Sequence, residues 1–131
     1  MDLPKIIQFP QIGNSGLGYI SVAERVNLPF SVKRIYWTYL TPENVERGGH
    51  AHRELEQLLI SVAGIIKIKI ELRGGEKTEF TLDKPDQGLY IPKMTWRTIQ
   101  YNKNAVQLCI ASTAFDETDY IRDYETFLRE C

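Results

Sequence analysis

The sequence predicts an all-β sandwich or barrel that ends in a short helix, on three observations. Short segments of alternating or continuous apolar character recur along nearly the whole chain. Gly, Pro, Asn and Asp punctuate them at the spacing of strand-connecting turns. Only at the C-terminal end does the period change: Ile121, Tyr124 and Leu128 fall on one helical face behind Asp119, a side chain suited to capping a helix start.

In order, Ile6 to Phe9 reads as a first edge strand stopped by Pro10, and Gly13 to Gly18 as a turn. Extended structure resumes over Tyr19 to Ala23 and breaks at Asn27-Leu28-Pro29. From Val32 to Leu40 the chain alternates, with Val32, Arg34, Tyr36 and Thr38 on one face and Lys33, Ile35, Trp37 and Tyr39 on the other. Neither face is purely apolar, the mark of a strand that lines a cavity rather than a dry core. Thr41-Pro42-Glu43-Asn44 makes a turn. Leu55 to Ala63 and Ile65 to Leu72 form two strands pivoting at Gly64; in the second, Ile66, Ile68 and Ile70 face inward and Lys67, Lys69 and Glu71 face solvent. Arg73-Gly74-Gly75-Glu76 is a hairpin connection to Lys77–Leu82. Further strands follow at Leu89-Tyr90-Ile91, Thr95 to Tyr101 and Ala105 to Thr113.

The length of 131 residues is that of one domain, taken here as residues 1–131. With 43% hydrophobic and 25% charged residues and a net charge of -1, the composition argues against a nucleic-acid binder driven by bulk positive charge. The two cysteines, Cys109 in an apolar run and Cys131 at the end, make a poor disulfide framework and read as reduced thiols. The N-terminus lacks the basic and apolar regions of a signal peptide, and no window approaches the roughly 18 apolar residues of a membrane span. The expectation is a cytoplasmic protein with no membrane partner.

Both histidines of the chain fall within Arg47-Gly48-Gly49-His50-Ala51-His52, just before the strongest strand signal. On a strand, His50 and His52 would share a face and act on one small volume. With Glu56 they form a His-x-His-x3-Glu pattern that resembles the first motif of the cupin superfamily. Gly88 and Pro92 fit the second motif, but Arg97 stands where its histidine would be. A guanidinium a few Å from a divalent ion repels it by several kcal/mol even at an effective dielectric of about 20, so a site without metal is expected.

The resemblance narrows further. Val32 to Trp37, Arg47 to His52, Gly88 to Ile91, Thr95-Trp96-Arg97 and Asp116 to Arg122 occur in the order and spacing of the nucleotide-sugar 3,4-ketoisomerases, which the chain resembles over nearly its whole length. This implies a cupin-type jelly roll, a homodimer that can exchange N-terminal strands, and no metal or organic cofactor. It also implies a dTDP-linked 4-keto-6-deoxyhexose substrate, whose product passes to an aminotransferase. Moving a ketone from C4 to C3 requires a base at C3 and stabilisation of an enediolate. In that scheme His50 is the catalytic base and Tyr36 the catalytic proton donor or relay, while Arg47, His52 and Arg97 bind substrate. Trp96 is expected to pack rather than to read the nucleobase, and Tyr120 and Arg122 to dock the terminal helix. An Arg after the Trp resembles the branch that forms the gluco product, whereas the first loop departs from it, which leaves the galacto epimer open. The rival readings are a rhamnose-type 3,5-epimerase, a non-catalytic sugar-binding cupin and, third, a metal-dependent dioxygenase.

Overall fold

A computed structural model describes residues 2–130; Cys131, expected to be a reduced thiol, lies outside the described residues. The strands are β1 Lys5–Gln8, β2 Ile12–Asn14, β3 Gly18–Ile20, β4 Arg34–Thr38, β5 Glu46–His52, β6 Gln57–Glu71, β7 Lys77–Leu82, β8 Gln87–Ile91, β9 Trp96–Ala111 and β10 Tyr120–Ile121. One helix, α1 Tyr124–Arg129, follows.

Two long antiparallel strands, β6 and β9, carry the fold, and both bend at the same place. Gly64 adopts φ +75° opposite Lys103 and Asn104, at φ +59° and +54°, where the β6/β9 register shifts. A Cβ at Gly64 would lie 2.5 Å from the Ala105 Cα, so only glycine allows this close crossing. The two strands expected on either side of Gly64 are therefore halves of one bent strand, and the pair expected over Thr95–Thr113 is likewise the single β9.

Because both long strands bend together, each takes part in two sheets. The early half of β6 and the late half of β9 join β1, β8 and β4 in one sheet. The late half of β6 and the early half of β9 join β7, β5 and β10 in the other. The hairpin β2–β3 stands apart. Leu59, Leu89, Ile91 and Cys109 of the first sheet meet Ile66, Ile68, Ile70, Leu82, Ile99 and Tyr101 of the second to form the main core. The all-β expectation and its jelly-roll form are met: two antiparallel sheets with apolar inner faces enclose that core.

Each outer face has its own cover. Leu28 and Phe30 pack on Phe9, Leu58, Ile60, Tyr90 and Ile110. Phe127 of α1 packs with Ala51 and Ile121, beside Met94 and Trp96. The helix itself departs from its sequence reading in two ways. Its cap is Asp123, which accepts from the Thr126 amide at 3.1 Å, because the Asp119 carboxylate is already taken by the amides of Glu54 and Leu55 at 2.8 and 3.2 Å. It is also short enough to bury Phe127 and leave Leu128 exposed. Glu71 points outward as expected but is not solvated: α1 covers it, and Tyr124 donates to its carboxylate at 2.6 and 2.8 Å.

Candidate active site

The site begins with a bulge. In β5, Arg47 pairs with Ile99 and His50 with Arg97, so the register slips by one residue between Gly48 and His50. Without the slip Arg47 and His50 would face opposite ways; with it, Arg47, His50 and His52 all face the space between the sheets. Both glycines take positive φ, +85° and +69°, and a Cβ on Gly48 would meet the Arg97 carbonyl oxygen at 2.8 Å. The Gly pair is thus what aims the basic residues of β5 at one point.

From the opposite sheet, β4 presents Tyr36, paired across the ladder with Cys109 of β9. The inward set Arg34, Tyr36 and Thr38 is partly buried, while Ile35 and Trp37 are exposed, which bears out the cavity-lining face expected for this strand. Gln57, the first residue of β6, donates from Nε2 to Tyr36 Oη at 2.8 Å. Arg97 Nη1 donates to Gln57 Oε1, and Arg97 Nη2 to the Thr95 carbonyl at 3.0 Å. A small cup lies among Tyr36, Arg47, His50, Gln57, Arg97 and Gln107, walled by Leu59 and Ile99. Arg47 is exposed, His50 is partly buried, and His52 and Arg97 are buried.

Electrostatics set the protonation states. Burial, and then the Arg97 guanidinium, lower His50 to about 4 and His52 to about 2, so both rings are neutral near pH 7. Burial pushes the Tyr36 phenol far up, with Cys109 adding to the rise; it stays protonated and can only be an acid at first. Burial also raises Cys109 to about 11, so this thiol of the apolar run stays protonated. Arg97 is lowered to about 10 by burial and still keeps its charge.

That charge is the unusual feature. Arg97 is 1% exposed, and among the described residues no carboxylate forms an ion pair with it. Its Nε is buried without a hydrogen-bond partner there as well. A buried cation held by one amide oxygen and one carbonyl is costly, and an anion entering the cup would relieve that cost.

The segment before α1 closes one wall. The Tyr120 ring packs against His50 and His52 at centroid distances of 5.0 and 4.3 Å, and the Arg122 guanidinium lies 4.1 Å over its face. Asp119 Oδ2 approaches His52 Nδ1 at 3.3 Å. Arg53 ties the same segment down by donating to the Thr118 and Tyr120 carbonyls, each at 3.2 Å. Tyr120 and Arg122 therefore do more than dock the helix, and Gln57, Asp119 and Tyr120 were absent from the sequence-derived site. Asp119 and Tyr120 lie in the Asp116–Arg122 motif that carries the resemblance, and Gln57 shows as a polar residue opening the apolar run Leu58 to Ile60. Trp96 packs against Tyr124 and Phe127 at 5.3 and 5.6 Å, as expected.

The donor set does not fit a divalent cation. Glu56, third in the His-x-His-x3-Glu pattern, accepts from the Tyr90 hydroxyl on the outer side, while its neighbour Gln57 points into the cup. Arg97 occupies the remaining corner, and among the described residues no three His, Cys, Asp or Glu side chains converge to hold an ion.

Comparison with known proteins gives concordant results. The family model described as "FdtA: WxcM-like, C-terminal" matches residues 2–131. A TDP-4-oxo-6-deoxy-alpha-D-glucose-3,4-oxoisomerase of Aneurinibacillus thermoaerophilus is 37% identical over 124 residues, covering 94% of this chain and 88% of that protein. The crystal structure of QdtA, a sugar 3,4-ketoisomerase from Thermoanaerobacterium thermosaccharolyticum in complex with TDP, superposes with a TM-score of 0.92 at 33% identity, over 97% of this chain and 93% of that one. The WlaRB TDP-quinovose 3,4-ketoisomerase of Campylobacter jejuni superposes with a TM-score of 0.91 at 36% identity, over 98% and 99%.

Proposed function

Because this chain belongs to the FdtA family of WxcM-like, C-terminal domains, we propose that it is a nucleotide-sugar 3,4-ketoisomerase acting on dTDP-4-oxo-6-deoxy-D-glucose. It moves the ketone from C4 to C3 by acid-base chemistry through an enediolate. The observation that carries this reading is the neutral imidazole of His50 beside the buried, carboxylate-free guanidinium of Arg97. A base without charge and a cation without a partner are what deprotonation next to a carbonyl needs.

In this mechanism His50 removes the C3 proton, the C3–H electron pair forms the C3=C4 bond, and the carbonyl electrons move to O4. Tyr36 gives its proton to O4 as charge builds there and recovers one from O3. His50 then returns a proton to C4, leaving the ketone at C3. Arg97 stabilises the anion more than it does the neutral substrate, which lowers the barrier rather than merely tightening binding. Arg47, at the mouth, pairs with the diphosphate, for which a guanidinium offers two parallel donors. His52, buried and neutral, forms the wall behind His50. No step requires a metal, in keeping with the poor fit of the donor set to one.

The same reading makes the protein a cytoplasmic homodimer of single-domain subunits. The support for dimerisation is apolar surface: on the edge strand β4, Ile35 and Trp37 are 53% and 61% exposed, and on the β2–β3 hairpin Leu17 is 90% exposed. Exchange of the N-terminal strands would bury both.

Incubation with dTDP-4-oxo-6-deoxyglucose in deuterated water, followed by NMR of the product trapped with a 3-aminotransferase, tests the reading. It requires a ketone relocated to C3. Deuterium at C5 with the ketone still at C4 would instead identify a 3,5-epimerase.

A further inference from the structure

Gln57 lies between the two groups that handle charge and proton in the cup, and it touches both. Its Oε1 accepts from Arg97 Nη1, and its Nε2 donates to Tyr36 Oη at 2.8 Å. A guanidinium has donors and no acceptor, so Arg97 dictates which end of the amide faces it. The oxygen turns to Arg97 and the NH2 end must turn to Tyr36. Tyr36 then has to accept from Gln57, and its own O–H is left with the weak sulfur acceptor of Cys109 beside it, which an oxygen entering the cup outcompetes.

We propose that Gln57 is a positioning residue that fixes the direction of proton transfer at Tyr36, relaying the orientation set by Arg97. The inference rests on the ketoisomerase reading above. As the C3–H bond breaks toward His50, the Tyr36 O–H bond breaks toward O4, and the phenolate left behind keeps the electron pair. The Gln57 N–H already points at that oxygen and stabilises it, until it takes the O3 proton and the phenol is restored. Nothing is consumed, and substrate and product are isomers. Burial, with Cys109 adding to it, raises the Tyr36 phenol, and a donor aimed at its oxygen works against that rise.

A glutamate in this place would reverse the arrangement with almost no change of shape. A carboxylate would pair with Arg97, cancel its charge and accept the Tyr36 proton, turning the phenol away from the substrate.

The test is a double-mutant cycle on the purified protein with dTDP-4-oxo-6-deoxyglucose, using Gln57→Glu, Gln57→Met, Tyr36→Phe and the Tyr36→Phe/Gln57→Met pair. Gln57→Glu is expected to lower kcat about 100-fold with KM changed less than about threefold. Gln57→Met, which keeps the Arg97 charge but offers Tyr36 no donor, should lose about tenfold. In the Tyr36→Phe background the Gln57→Met change, which leaves the Arg97 charge in place, should cost less than about threefold, because its target is gone. Equal losses in both backgrounds, or either single Gln57 variant at wild-type kcat, would overturn the inference while leaving the ketoisomerase reading intact. A wild-type protein that relocates no ketone would overturn the reading, and the inference with it.

Discussion

His50 owes its usefulness to a conflict between its surroundings and its charge. Burial and the neighbouring Arg97 lower it to about 4, so the imidazole remains a free base well below its ordinary titration range. The acid limb of kcat/KM for the free enzyme is therefore expected near pH 4 rather than near 6.5, so initial rates should stay flat as pH is lowered from 8 through 6.5 to 5. His50→Asn should reduce kcat by roughly 10³-fold, the usual contribution of a general base, with the variant still binding dTDP in calorimetry. The same depressed values have a cost in stability. Between pH 6.5 and 4 the unfolded chain takes up protons that folded His50 and His52 refuse, so stability is full above 6.5 and declines as pH falls. The slope is up to about 1.4 kcal/mol per pH unit for each ring, readable from urea melts across that range.

At the scale of elements, two glycine-dependent bends do most of the positioning. The β5 bulge brings Arg47 and His50 to one side, and the crossing at Gly64 lets β6 and β9 serve both sheets. Gly64→Ala places a Cβ 2.5 Å from the Ala105 Cα at a positive φ and should destabilise the fold by roughly 3 kcal/mol in denaturant titrations. Gly48→Ala, pressed against the Arg97 carbonyl, should lower kcat more than stability, since what it displaces is the aim of His50 and Arg97. Much of this was legible in advance. The His-x-His spacing, the alternation over Val32 to Leu40 and the pivot at Gly64 each follow from local periodicity, and the structure keeps all three. The period-two rule put His50 and His52 together correctly, but it could not bring in Arg47, because a bulge adds a residue without leaving a regular pattern. Gln57 meets Tyr36 and Arg97, and Asp119 and Tyr120 meet the histidines, by contacts over long sequence separations, which no local pattern encodes. The displaced helix cap has a similar cause: Asp119 and Asp123 are equivalent by sequence, and only the amides of Glu54 and Leu55 distinguish them.

For the whole molecule, the sandwich separates two kinds of surface. Its interior holds a charged, hydrogen-bonded cup at one end of an otherwise apolar core, while one edge and one hairpin present apolar side chains outward. No helix among the described residues is long and apolar enough to cross a membrane. The exposed Trp37 and Ile35 of β4 are the surfaces a second copy would cover. For the dimer proposed above, Trp37→Asp is expected to give a monomer in sedimentation analysis, and a variant that sediments as the wild type does would remove β4 from that proposed interface.

The central claim is that His50 takes the proton from C3 of the sugar, and substrate deuterated at C3 tests it most directly. The account predicts that the wild-type protein takes this deuterium off C3 as the ketone moves there, passing it to C4 or to solvent through the one imidazole, with a primary isotope effect on kcat/KM, and that His50→Asn removes it at least about a thousandfold more slowly. Loss of the C3 deuterium at the wild-type rate in His50→Asn, or no isotope effect on kcat/KM in the wild type, would contradict it.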